Sequence, residues 1–381
     1  MRQLRWVPWC LFFCCATLFG QQPGEFKNVS TRMQEFVERQ QTAGVVTLCW
    51  HEGKPVHLSA VGMADVEGKR AMTTDTMFAI ASMTKPISAT ALMILADEGK
   101  LSVDDPVSKY IPEFRDAALA DGKPKREITL RDLLTHTSGL GGSQANEGTL
   151  AETAKALAAR KLDFEPGSKW QYSPAISVCG RVVEVVSGQP FEDFLATRIF
   201  KPLKMVDTTF NPTPAQQKRL AKLYQPGPDK KSLATAQHWL NDLSAPRSPN
   251  PSGGLFSTAA DLARFYQAIL QGGELDGVRI LSEKGVKTMT SVQTGELTTG
   301  FTPGNGWGFG WCVVREPQTV TESLSPGSFG HGGAFGTQGW VDPVQKNVFV
   351  LLVQRTNFGN SDGSDMRRVF QAEALKALKT E

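Results

Sequence analysis

Ala81-Ser82-Met83-Thr84-Lys85-Pro86 places a hydroxyl and an amine three residues apart, where an extended stretch turns into a helix. Thr76 to Ile80 before it is apolar and extended. Beyond it, Ile87, Ala91, Leu92, Ile94 and Leu95 fall on helical spacing up to Gly99. Residues i and i+3 share a helix face, so Lys85 lies over Ser82. A serine hydroxyl is a poor nucleophile until a base takes its proton, and an ammonium that normally titrates near ~10.4 serves only where its surroundings favour the neutral form. Pro86 suits the first helical turn, and the exposed N–H groups of a helix start suit a developing oxyanion. Taken alone, Ser-x-x-Lys fits equally a capped helix followed by a solvated lysine.

Two further stretches carry chemistry. Trp170-Gln171-Tyr172-Ser173-Pro174 follows a Glu165-Pro166-Gly167 turn and precedes a valine-rich helix, so Tyr172 sits at a loop-to-helix junction, exposed. A phenol becomes a general base only if its pKa falls well below ~10, which a neighbouring ammonium such as Lys85 would favour. Gly330-His331-Gly332-Gly333-Ala334-Phe335-Gly336 leads into a strand. Its glycines let a backbone approach a substrate closely and turn N–H groups toward it.

The chain of 381 residues is 40% hydrophobic and 21% charged, enough for a large core in one domain or two interlocked ones. Arg2 and Arg5 lead an apolar run from Trp6 to Phe19, too short and too interrupted by Pro8 to span a bilayer. Residues 1 to 20 therefore read as a signal peptide, and the expected location is exported, periplasmic or secreted. Their removal takes two arginines and no acid, so the net charge falls from +3 to +1. Nucleic acid and anionic surfaces are not implied as partners. Cys49, Cys179 and Cys312 then remain, with no disulfide framework and no zinc spacing among them.

Along the chain, a helix is expected over 28 to 41, with Thr31-x-x-Gln34 as its capping box, then a hairpin of 45 to 50 and 56 to 61. Helical signals dominate 81 to 290. Helix starts are read at Ser102-x-x-Asp105, Thr129-x-x-Asp132 and Thr258-x-x-Asp261, and a long ordered loop over a groove between Gln225 and Gly254. Strands return with alternating Trp307, Phe309 and Trp311, read as a packed strand rather than an acyl pocket, then 338 to 341 and 347 to 353, before a final helix over 366 to 378. The expected fold class is α/β: an antiparallel sheet built from both chain termini and flanked by helices, with a mainly helical insertion. Residues 26–80 and 300–379 form the α/β part and 81–299 the helical part of one catalytic domain.

In this order and separation, the three stretches resemble the serine β-lactamase and penicillin-binding superfamily, and are most similar to class C β-lactamases and family VIII carboxylesterases. The likeness extends to Leu133-Leu134-Thr135-His136-Thr137-Ser138-Gly139-Leu140 and to Gly253-Gly254-Leu255-Phe256-Ser257-Thr258 with Asp261-Leu262. It implies Ser82 as nucleophile and Lys85 and Tyr172 as its proton relay. It also implies an oxyanion hole from the N–H groups of Ser82 and Ala334, with His331, Gly332 and Gly333 on the substrate-binding strand, and no cofactor or metal. His136 is read as structural, since nothing aims it at Ser82.

Two departures bear on substrate. The family's Tyr-x-Asn appears as Tyr172-Ser173-Pro174, so the amide is missing. His331 stands where a lysine is usual, and an ordinary imidazole is mostly uncharged at neutral pH. Both favour a neutral ester over an anionic lactam or peptide. The expected function is a serine hydrolase acting through an acyl-enzyme on short-chain esters. The alternatives are β-lactam or D-alanyl-D-alanine peptide chemistry, or a sensor that acylates once without turnover. Gly359-Asn360-Ser361-Asp362-Gly363 matches a nucleophile elbow, but no histidine follows it to complete that triad.

Overall fold

The computed structural model describes residues 26–142, 148–358 and 364–379. The signal segment and the 359–363 elbow match lie outside them. Eight strands form an antiparallel sheet: β1 (Gly44–His51), β2 (Lys54–Asp65), β3 (Arg70–Ala71), β4 (Asn305–Trp307), β5 (Cys312–Val314), β6 (Phe329–Gly332), β7 (Gln338–Asp342) and β8 (Asn347–Leu352). Their spatial order is β4-β5-β6-β7-β8-β1-β2-β3. The two ends of the chain meet where β8 pairs with β1, Val46 opposite Leu352 and Trp50 opposite Val348.

Successive side chains of a strand face opposite ways, and β1 uses both faces. Val45 and Cys49 pack with α1 (Lys27–Glu38) and the C-terminal helix Asp365–Leu378 through Val29, Met33, Phe36 and Phe370. Val46 and Leu48 enter the main core on the other side, with Leu262, Phe265 and Tyr266 of the Ala259–Leu270 helix. That core continues into α2 (Thr84–Asp97), buried from Thr84 to Leu95 on every side, as an apolar helix at the centre of a molecule must be.

Several local expectations are corrected. The first helix starts at Lys27, so Thr31 lies inside it and donates to the Lys27 carbonyl instead of capping. Ser102 and Asp105 close a turn ahead of a short 3-10 segment, Val107–Lys109, with Asp105 accepting the Ser102 N–H. Trp307 to Trp311 is a hairpin bend, not one strand: Gly310 takes a φ of 75° and the Gly308 N–H returns to the Trp311 carbonyl. The alternation that mimics a strand there has two outcomes. Phe309 and Trp311 enter the main core, while Trp307 joins the opposite cluster. The caps at Thr129 and Thr258 form as expected, each threonine oxygen accepting the N–H three residues on.

Candidate active site

Ser82 lies in a short 3-10 turn, Ala81–Met83, that feeds directly into α2, so Lys85 stands one turn along the same helix. The Lys85 ammonium nitrogen is 3.1 Å from Ser82 Oγ and donates to the Ser252 carbonyl at 2.7 Å. Ala81, before the nucleophile, has a φ of 44°, a left-handed conformation that a non-glycine residue adopts only when its surroundings hold it. Those surroundings are the Phe256–Ser257 strand, paired with Phe78–Ala79, and Leu255, whose carbonyl accepts from Ile80 N–H and whose N–H donates to Thr84 Oγ1.

Ser252 is a site residue that the sequence did not disclose. It acts through its main-chain oxygen, and its neighbourhood is tightly bonded: its hydroxyl meets Ser177 Oγ at 2.8 Å, and Ser88 donates to the Pro251 carbonyl. The glycine-rich motif one residue on was the available signal. The amine it holds is fully enclosed, and burial alone pushes the Lys85 pKa down to about 7.

Tyr172 comes from the loop before α3 (Ile176–Ser187). Its ring faces Lys85, with Nζ 4.6 Å from the ring centroid. Its oxygen is enclosed rather than exposed, contrary to the expectation of an open phenol. Around it stand His136 at 4.6 Å, Phe301 at 5.1 Å and His331 at 6.0 Å between ring centroids. Trp307 completes the box, edge-on to His331 at 5.5 Å. The structure thus brings Ser82, Lys85, Tyr172 and His331 into one neighbourhood.

His331, on β6, is buried, and its Nδ1–H donates to the Gly332 carbonyl at 2.6 Å. Burial first, then the positive Lys85, drives its pKa down to about 3. Gly333 follows as the chain bends into a turn closed by Gly333 N–H to the Thr337 carbonyl. A Cβ at Gly333 would lie 2.5 Å from the Ile80 carbonyl oxygen and 2.1 Å from Thr337 Oγ1, so only glycine lets this turn close on the Ser82 loop. Ala334 is exposed on that turn. The 225–254 segment is mostly loop, and its residues 236–239 and 241–243 line a cavity of about 560 Å³. His238, in its lining, sets its ring edge-on to Phe335 at 5.1 Å.

A helix-borne serine with a buried, unprotonated-prone amine beside it, set against the interior strand β6 of an antiparallel sheet, defines a serine hydrolase. The chain belongs to the Beta-lactamase family, which it matches over residues 29–374. It is similar to Esterase EstB of Burkholderia gladioli, 32% identical over 355 residues, spanning 84% of this chain and 88% of that protein. It is also similar to a putative D-alanyl-D-alanine carboxypeptidase of Escherichia coli O157:H7, 30% identical over 328 residues, spanning 80% and 74%. Among solved structures it resembles EstCE1, a hydrolase with promiscuous acyltransferase activity, with a TM-score of 0.81, 26% identity and coverage of 92% and 97%.

Proposed function

We propose that the protein is an exported carboxylesterase that hydrolyses short-chain esters through an acyl-enzyme on Ser82. The observation that carries this is the Lys85 amine, 3.1 Å from Ser82 Oγ and held by burial near a pKa of about 7, hence substantially neutral at the pH where it must accept a proton. Ser82 Oγ attacks the ester carbonyl while its proton passes to Lys85. The oxyanion is received by the N–H groups of Ser82 and Ala334. As the tetrahedral adduct collapses, the carbonyl–alkoxy bond breaks, and the proton passes through Tyr172 to the departing alcohol. Water, giving its proton back along the same path, then cleaves the acyl–serine bond and releases the acid.

An uncharged substrate is favoured by the binding strand. His331 is neutral at pH 7 and offers no cation to a substrate carboxylate. Ser173, beside Tyr172, turns its hydroxyl toward His136 instead of a ligand, and Pro174 has no amide to offer. The similarity to EstB agrees with this reading. D-alanyl peptide hydrolysis is the second reading, favoured by the similarity to the putative carboxypeptidase.

Parallel assays of p-nitrophenyl acetate and butyrate, nitrocefin and a D-alanyl-D-alanine peptide, each with wild type and Ser82→Ala, test the proposal. Turnover of the esters, an acyl adduct on Ser82 by mass spectrometry and no turnover by Ser82→Ala are expected. Unchanged ester hydrolysis by that variant would refute the nucleophile, and stoichiometric penicillin labelling without product release would favour a sensor. Export rests on residues 1 to 20. The mass of the protein recovered from periplasm or medium should lack them.

A further inference from the structure

We propose that His136 is a positioning residue that sets the phenol of Tyr172, by clamping the chain on both sides of it. The proposal rests on Tyr172 acting in proton transfer, as in the reading above. The Gln171 N–H, before Tyr172, donates to the His136 carbonyl at 2.9 Å. The Ser173 N–H, after Tyr172, donates to His136 Nδ1 at 3.2 Å. Between these two anchors the imidazole lies against the phenol ring, centroids 4.6 Å apart. Phe301, Trp307 and Lys85 pack the phenol ring, and His136 adds the main-chain clamp on either side of it, from one side chain and one carbonyl of a single residue. For proton transfer, a displacement of about 1 Å costs on the order of a hundredfold in rate.

The local backbone is shaped for this. His136 caps the short Leu130–Thr135 helix in a left-handed conformation, φ 61°, which aims its carbonyl and ring together at the tyrosine loop. That helix is itself secured, with Thr129 and Asp132 bonded reciprocally and Arg126 forked onto both Asp132 oxygens. Because a main-chain N–H can only donate, Nδ1 is the acceptor and the proton of the neutral ring sits on Nε2. Lys85, His331 and the Tyr172 phenol are the titratable groups around the ring; burial first, then Lys85 and His331, oppose its protonation, so the ring stays neutral. His136 is therefore no base for Ser82. It acts through Tyr172.

A double-mutant cycle tests this. His136→Gly suits the left-handed backbone and keeps the carbonyl but deletes ring and acceptor. His136→Asn tolerates the same backbone and restores an acceptor. We expect H136G to lower the acylation rate on p-nitrophenyl acetate by about 10- to 100-fold and H136N to recover most of it. In the Tyr172→Phe background, H136G should cost no more than about threefold further, because the group it positions has gone. Additive losses with Tyr172→Phe crippled, or H136N as slow as H136G, would overturn the clamp alone. Tyr172→Phe at wild-type rates would overturn the reading beneath it, and the clamp with it. Thermal melting checks folding of each variant, and the cycle built on H136N reads the same coupling should H136G not fold.

Discussion

The protonation state of Lys85 fixes what the site can do at a given pH. Its amine is the group near Ser82 with a pKa about 7, while His331 lies near 3 and His136 is held well below its ordinary value by burial and by Lys85. With an uncharged ester, the substrate does not titrate either. The proposed mechanism therefore gives kcat/KM a single ascending limb: activity is full above the Lys85 pKa and lost as pH falls through about 7. A pH–rate profile between 5 and 9 checks it, and a flat profile there would remove Lys85 as the base. Lys85→Arg keeps a positive charge at every working pH, so it should lose at least about a hundredfold without recovery at higher pH.

Elements convey these residues to one place, and how much of that the sequence discloses differs from element to element. The sheet was legible: a hairpin of 45–50 and 56–61 and extended segments at 338–341 and 347–353 put strands at both ends of the chain, from which one antiparallel sheet built from both termini follows. Ser82, Lys85 and His331 were legible only through the order and separation of three stretches, since Ser-x-x-Lys alone fits a capped helix with a solvated lysine equally well. The Ser252 carbonyl and the clamp at His136 were not. The first carries no side-chain signature, and the second is a contact across more than thirty residues, which local spacing does not report. The Trp307–Trp311 bend was misread because glycines between aromatics imitate a strand period. The glycine turn after β6 gives the element-scale prediction. Gly333→Ala would place its Cβ 2.5 Å from the Ile80 oxygen, main chain that cannot swing aside. It should cost about 1–3 kcal/mol of stability and at least tenfold in kcat/KM by lifting the turn from the Ser82 loop. Gly253→Ala, by contrast, would set its Cβ at an ordinary 3.6 Å from the Ala81 carbonyl carbon, and its melting temperature should match wild type. Equal melting temperatures for the two variants would contradict the close approach at Gly333.

At the scale of the whole molecule, the core around α2 stabilises the fold while enclosing a group that opposes folding. In the unfolded chain Lys85 titrates near ~10.4, and in the folded protein burial lowers it to about 7. Between these values the unfolded state holds a proton that the native state has released, so stability rises with pH across that window. Below about 7 both states are protonated, and the whole penalty of burying the ammonium is felt, on the order of 5 kcal/mol from the size of the shift. Lys85→Met fills the same volume with no charge. It forfeits the bond to the Ser252 carbonyl, worth about 1 kcal/mol, and removes the larger desolvation cost. The inactive variant should thus melt above wild type at pH 6–7, and its advantage should shrink as the pH is raised toward 10. Titrating groups away from Lys85 are common to both proteins and cancel in the difference; His136 and His331, which Lys85 helps to keep neutral, are held neutral first by burial in both. Differential scanning calorimetry of the pair at pH 6, 8 and 10 measures it. A variant less stable than wild type at pH 6, or a difference that stays constant with pH, would mean that the amine is not held in the desolvated state on which its reactivity toward Ser82 depends.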